Sequence, residues 1–225
     1  MNLGITSFVF ESPQNNGERT LNEKKIPKEA DGLINTFGYK TLEEDLNKIE
    51  NIINDMKNEG AEFIIVGMHW GIEYDKNPSE YQKKIAKELN NFGVDLVLGS
   101  HPHVIQPIEK IKNEQGEETI VVYSMGNFLS NQSKETIGKS ETSDGVILEF
   151  KIGQNEKKDI VIKDYKIIPT WVYKYNDNNG NTKYKILSAE DTLKSEEAKN
   201  KLSKEILQKI KKSEEATKSI LKNNN

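Results

Sequence analysis

The chain has 225 residues, 32 basic against 36 acidic side chains, 3 histidines and no cysteine. That length fits one domain or one domain with an appendage, and a formal charge of -4 with a single arginine, Arg19, supplies no basic field for nucleic acid. Without cysteine there are no disulfide frameworks, thiolate zinc sites or cysteine nucleophiles, and no apolar run of about 18 residues offers a membrane span.

Leu3–Phe10 is an uncharged apolar run broken only by small residues and predicts a strand. The opening residues MNLGITSFVF lack the charged n-region and cleavage site of a secretory signal. Residues 11–31 are polar, with Pro13, Gly17 and Pro27, and predict a long loop of the kind that forms lids or rims. Thr41 followed by Glu44 has the pattern of a capping box. Leu42, Leu46, Ile49, Ile52, Ile53 and Met56 then recur at helical spacing up to a stop at Gly60. Phe63–Val66 reads as a strand buried on both faces. Pro78 suits the first position of a second helix, which would turn Tyr81, Ile85, Leu89 and Phe92 inward and end at Gly93. Val94–Leu98 predicts another buried strand. Helix and strand alternating across short connections indicate an α/β fold with a largely parallel sheet.

Beyond this point the pattern becomes antiparallel. Ile105–Ile111 and Thr119–Tyr123 flank a polar turn and predict a hairpin, and Val146–Ile152, Ile160–Ile168, Thr170–Tyr175 and Lys183–Leu187 predict further strands. From Asp191 to Lys222 a Lys/Glu-rich helix carries a thin stripe of Leu193, Leu202, Ile206, Ile210 and Leu221. It is either a docked, partly solvated helix or a partner-binding one. A terminal asparagine run follows.

The histidines carry the chemistry. His69 follows the strand Phe63–Val66, and His101 and His103 follow the strand Val94–Leu98. Ligands in open α/β sheets bind at the carboxyl ends of strands, so all three imidazoles are delivered to one rim. Converging neutral imidazoles suit a divalent transition ion, although any one of them alone would more simply be a hydrogen-bonded rim residue. Pro102 biases His101 toward an extended backbone, which would point the His101 and His103 rings the same way. Glu73, Tyr74 and Asp75 share the region.

Four ordered segments carry a resemblance: His69-Trp70-Gly71-Ile72-Glu73-Tyr74, then Pro78 with Gln82, then Gly99-Ser100-His101-Pro102-His103-Val104-Ile105-Gln106-Pro107, and Tyr123-Ser124-Met125-Gly126-Asn127-Phe128. Across about 35–152 the chain resembles the CapA family of capsule and poly-γ-glutamate biosynthesis, whose fold is similar to that of calcineurin-like metallophosphatases. The resemblance implies a layered α/β/β/α sandwich over 1–187, followed by a helix and tail over 188–225. It implies a two-metal site in which His69 and His101 hold one divalent ion (Mn, Fe or Zn) and His103 the other. Glu73 would assist catalysis, and Tyr74, Gln106 and Asn127 would meet substrate, with Asn127 alternatively a turn residue that holds its loop.

The superfamily's early aspartates and its Asn-His motif have no counterpart here, since no histidine precedes His69. The chain is therefore expected to be the C-terminal portion of such a protein, a half-site inactive unless a complementary chain supplies carboxylates. Two functions follow from the resemblance. One is a metal-dependent hydrolase or transferase of phosphoester or γ-glutamyl type. The other is a non-catalytic subunit that binds anionic polyglutamate or another capsule polymer and associates with a membrane-bound synthase. The family implies the outer face of the cell membrane; the chain by itself, if complete, implies the cytoplasm.

Overall fold

In the computed structural model of the chain, which describes residues 1–13, 19–30 and 32–222, the uncharged N-terminal run forms β1 (Leu3–Phe10). The polar stretch after it is not a plain loop. It holds a small ribbon of β2 (Ser12–Pro13), β3 (Arg19–Leu21) and β4 (Lys24–Lys25), with Gly17 and Asp31 lying outside the described residues. A two-residue strand β5 (Thr36–Phe37) leads into α1 (Leu42–Asn58), β6 (Phe63–His69), α2 (Glu80–Asn91) and β7 (Leu96–Ser100). The hairpin β8 (Ile108–Lys112) and β9 (Glu118–Val122) comes next. After a single helical turn α3 (Lys134–Ile137), the long strands β10 (Asp144–Gln154) and β11 (Ile160–Asn176) and the shorter β12 (Thr182–Ser188) follow. The chain closes with α4 (Ala189–Lys194), α5 (Glu196–Lys201) and α6 (Lys204–Lys222).

Six strands form the main sheet in the order β5-β1-β6-β7-β9-β8, and β10-β11-β12 form a second, antiparallel sheet. In the main sheet β1, β6, β7 and β9 run parallel, and β8 returns antiparallel along β9. Alternation along these strands feeds two cores. Phe8, Ile64, Val66, Met68, Val97 and Val121 face α1 and α2, where Leu46, Ile49, Ile53, Ile85 and Leu89 complete one buried cluster. Phe63, Leu96, Ile108, Ile120 and Val122 face the other way, onto Leu148, Phe150, Ile160, Ile162 and Ile167 of the second sheet. Helices, sheet and sheet thus stack as layers, with α6 against the second sheet, which is the layered α/β arrangement expected. Truncating a fully buried isoleucine such as Ile53 or Ile85 to alanine costs about 2–5 kcal/mol.

Several local expectations need correction. Thr41 caps α1 with no hydrogen bond to the helix backbone; its hydroxyl donates to the Asp45 carboxylate at 2.6 Å, which also accepts from the Gly38 amide. α2 begins after Ser79, not at Pro78, and the capping box belongs to Ser79 and Gln82. Tyr81 faces solvent, 45 % exposed, with its ring stacked 4.0 Å from that of Tyr39. The two strands expected across Ile160–Tyr175 are one continuous strand, and the tail is three helices. The tail is docked, since Ala189 and Ile210 have no exposed surface. The terminal asparagines lie outside the described residues.

β1 has an uneven outer edge. β5 covers only Val9 and Phe10, and the Val9 amide donates to Asn35 there. By the same alternation Leu3, Ile5 and Ser7 turn their backbone groups outward, to no strand among the described residues. Leu3 is 44 % and Ile5 67 % exposed. No helix among the described residues is long and apolar enough to cross a membrane.

Candidate metal centre

β6 and β7 are parallel neighbours whose register pairs His69 with Ser100. That pairing delivers His69 and the residue just past the end of the second strand, His101, to one level of the carboxyl-end rim. Their rings lie 4.6 Å apart between centroids, tilted by 52°. Trp70 anchors the first strand's exit: it is fully buried and its indole Nε1 donates to the Tyr123 carbonyl at 2.9 Å. Gly71 then turns with φ +91°, and a Cβ there would stand 2.7 Å from the Gln82 amide oxygen.

The extended backbone expected at His101-Pro102-His103 is not formed. His101 has φ +100° and His103 φ +60°, both on the left-handed side where an L-residue carries a cost of roughly 1–3 kcal/mol. The preference imposed by Pro102 is overridden because the segment must bend back over the rim, where the Pro102 carbonyl accepts from the Tyr74 amide at 2.7 Å. Tyr74 itself has φ +66°. The bend still leaves the His101 and His103 rings 6.1 Å apart, so all three imidazoles meet at one rim by a different route.

The three rings are not equivalent. His69 Nε2 and His101 Nδ1 are buried and have no hydrogen-bond partner among the described residues. Burial, followed by the neighbouring imidazoles, pushes the His69 pKa down to about 4. Burial is also the main cause lowering that of His101. Both rings are neutral near pH 7 and present lone pairs. His103 is partnered: its Nδ1 lies 3.0 Å from Asn127 Oδ1, and its Nε2 3.8 Å from Glu73 Oε1. Asn127 Nδ2 donates to the Thr142 carbonyl at 2.9 Å, so its oxygen faces the ring. An amide oxygen can only accept, which puts the neutral ring's proton on Nδ1 and leaves Nε2 with the lone pair.

Tyr74 lies against His103, ring centroids 5.9 Å apart, with the Lys139 ammonium 5.5 Å from the tyrosine centroid. Glu73 is half exposed at the mouth. Gln106 is elsewhere. It is fully buried, donates to the Asp75 and Asn77 carbonyls and accepts from Gln82 Nε2 at 2.8 Å, so it braces the loop after His69 from inside. Asn127 likewise braces His103, the loop-holding alternative considered for it.

Sequence reasoning missed the second wall, from the 139–143 segment. Lys139 covers Tyr74, and Glu141 pairs with Lys76 at 2.8 Å, which holds the Glu141 carboxyl down at about 2. Nothing in the local spacing of these residues signals the contact. The unpartnered nitrogens of His69 and His101 fit a divalent transition ion as two imidazole donors. Among the described residues, however, no three His, Cys, Asp or Glu side chains stand together so as to hold a metal ion.

Comparison with known proteins gives a family match over residues 2–132, to Bacterial capsule synthesis protein PGA_cap. This interval starts earlier and stops earlier than the 35–152 of the motif resemblance, and it contains His69, Glu73, Tyr74, His101, His103, Gln106 and Asn127. The chain is 34% identical over 95 residues to the PGA biosynthesis protein CapA of Bacillus subtilis (strain 168), covering 42% of this chain and 22% of that protein. It is 37% identical over 101 residues to the Capsule biosynthesis protein CapA of Bacillus anthracis, covering 45% of this chain and 22% of the relative. The alignments thus span about a fifth of the length of these curated relatives. Because the family match takes in more than half of its residues, the chain belongs to the bacterial capsule synthesis protein PGA_cap family.

Proposed function

We propose that the protein contributes a histidine metal site to a hydrolase or transferase acting on an anionic capsule polymer such as poly-γ-glutamate. The observation that carries this reading is the pair of neutral, buried and unpartnered nitrogens, His69 Nε2 and His101 Nδ1, on adjacent strand ends. Buried polar atoms without partners are uncommon in native proteins, and an ion explains two at once. His103 Nε2 faces the same rim but does not complete a three-residue ligand set with His69 and His101 among the described residues, so the remaining donors would have to come from outside that pair. A divalent ion (Mn, Fe or Zn) held by His69 and His101 would supply charge stabilisation to a substrate oxygen and lower the pKa of water. The chain's own residues then have distinct tasks. Asn127 fixes the His103 tautomer, Glu73 lies within reach of His103 Nε2 to orient a proton-bearing group, and Lys139 beside Tyr74 offers a cation to an anionic chain.

The lack of a three-residue ligand set among the described residues favours a second reading, a non-catalytic subunit that binds polymer and assembles with a membrane-associated synthase. Calorimetry with Mn, Fe(II) and Zn, followed by assays on phosphoester and γ-glutamyl substrates, separates the two. Binding that weakens at least tenfold in His69→Ala and His101→Ala, together with metal-dependent turnover, supports the first. Binding without turnover supports the second. Affinity unchanged in both variants removes the metal site itself.

A further inference from the structure

The polar interior of the molecule contains one chain of contacts that runs from the C-terminal helix to a site histidine. Ser213, on the buried side of α6, donates its hydroxyl to Asp144 Oδ1 at 2.7 Å, a bond across 69 residues of sequence. Asp144 is the first residue of β10, and its backbone carbonyl accepts from the Asn127 amide at 3.1 Å. Gly145, next to it, forms a bridge with Gly126, and a Cβ on Gly145 would stand 2.1 Å from the Asn127 carbonyl oxygen. Val146 closes the same seam, its amide donating to Met125. Asn127 is therefore clamped against the start of β10 on both sides of its own peptide. Its side chain then grips Thr142 and the His103 ring.

We propose that Ser213 and Asp144 are positioning residues: docking of α6 sets the place of Asn127 and, through it, the tautomer and orientation of His103. The helix and β10 both lie outside the family match, which ends at residue 132. A segment outside the shared region thus holds a ring that belongs to it. Among the described residues, Ser213 is the side chain hydrogen-bonded to the Asp144 carboxylate, and its hydroxyl is a polar link between α6 and β10. Loss of that link loosens β10's first residue, and with it the backbone bond that places Asn127, leaving the Thr142 carbonyl to hold the amide's orientation toward His103 Nδ1 without the clamp behind it.

This inference deepens the proposed histidine site, yet its central measurement needs no metal and so succeeds or fails independently. The ring nitrogens of His103 in the metal-free, full-length chain report their tautomer by nitrogen-15 correlation spectroscopy, while amide hydrogen exchange reports Asn127 and residues 142–146. In Ser213→Ala, exchange at these amides should quicken by roughly 3- to 10-fold, the consequence of one lost buried hydrogen bond, and His103 should change from the single Nδ1–H form to a mixture. Ser213→Thr, which keeps the hydroxyl, should restore both. If Ser213→Ala loosens only residues 204–222 and leaves the His103 signature and Asn127 exchange unchanged, α6 is merely docked and the coupling is overturned. Should Ser213→Ala fold poorly, Asp144→Asn, which still accepts from Ser213, must preserve the Nδ1–H form; a mixed tautomer there is equally fatal.

Discussion

Two single residues show how little freedom the rim has. Gly99 precedes the histidine segment within β7, and a Cβ on it would lie 2.0 Å from the Tyr123 carbonyl oxygen. Backbone cannot yield as a flexible side chain does, so Gly99→Ala should cost about 3 kcal/mol or more, measured by urea unfolding, with fluorescence from the adjacent Trp70 as probe. His69 makes the second case. Its pKa near 4 keeps it neutral, and so able to ligate, well into acid. Metal uptake followed by calorimetry is expected to persist at pH 6 and to fail as the pH approaches 4. Loss already at pH 6.5 would contradict a site whose affinity is set by the two buried imidazoles. The sequence made the location of the histidines legible, because each follows a short apolar run that could only be a buried strand. It could not reveal the left-handed backbone at His101 and His103. That conformation is imposed by the Tyr74–Pro102 contact between two loops, against the local preference of a residue preceding proline.

At the scale of elements, loops are held from within. Gln82 on α2 and Gln106 are both fully buried, and between them they bind the Ser79 amide and the Asp75 and Asn77 carbonyls. Gln106→Leu keeps the volume but strands the Asp75 and Asn77 carbonyls, each at about 1–3 kcal/mol. The expected result is a lowered unfolding midpoint with faster hydrogen exchange over residues 72–78; unchanged exchange there would deny the brace. Periodicity found α1, α2 and the strands of the main sheet because their apolar residues face two cores. It misjudged Tyr81, whose aromatic face is used in an exposed stack on Tyr39 rather than in the core. The thin apolar stripe of the tail predicts one helix, whereas Ser188, Ser195 and Ser203 mark three starts: their hydroxyls accept from the Asp191, Ala198 and Ile206 amides. Those caps were legible; the thin apolar stripe concealed them. β11 ran on past Ile168 because Pro169 and Thr170 pair with Val146 and Gly145, a tertiary fact that no local propensity carries.

Across the whole molecule, buried carboxyls and buried imidazoles pull stability in opposite directions as the pH falls. Burial is the largest cause that lifts both Asp95 and Asp144 to about 6. A carboxyl raised above its unfolded value of about 3.9 holds more protons folded than unfolded in that interval, so both groups add stability as the pH falls from 6 toward 4. His69 and His101, lowered by burial, act in reverse: the unfolded chain takes their protons first, so stability drops from about pH 6.5 downward. The melting temperature should therefore vary little between pH 6.5 and 4.5. Asp144→Asn removes a carboxylate that is costly when ionised, so the variant should melt above the parent at pH 8, with the difference closing near pH 4. Scanning fluorimetry over that range checks it, and a variant that melts lower at pH 8 contradicts the assignment of burial as the dominant cause.

The outer margin of β1 has a practical consequence. Among the described residues, no strand covers the outward amides and carbonyls of Leu3, Ile5 and Ser7, which lie beside two exposed aliphatic side chains, and this stretch of β1 carries no lysine or proline to repel a newcomer. Concentrated solutions should thus be prone to strand-to-strand self-association and cloudiness, and a single Ile5→Lys exchange should delay the onset of light scattering without lowering the melting temperature.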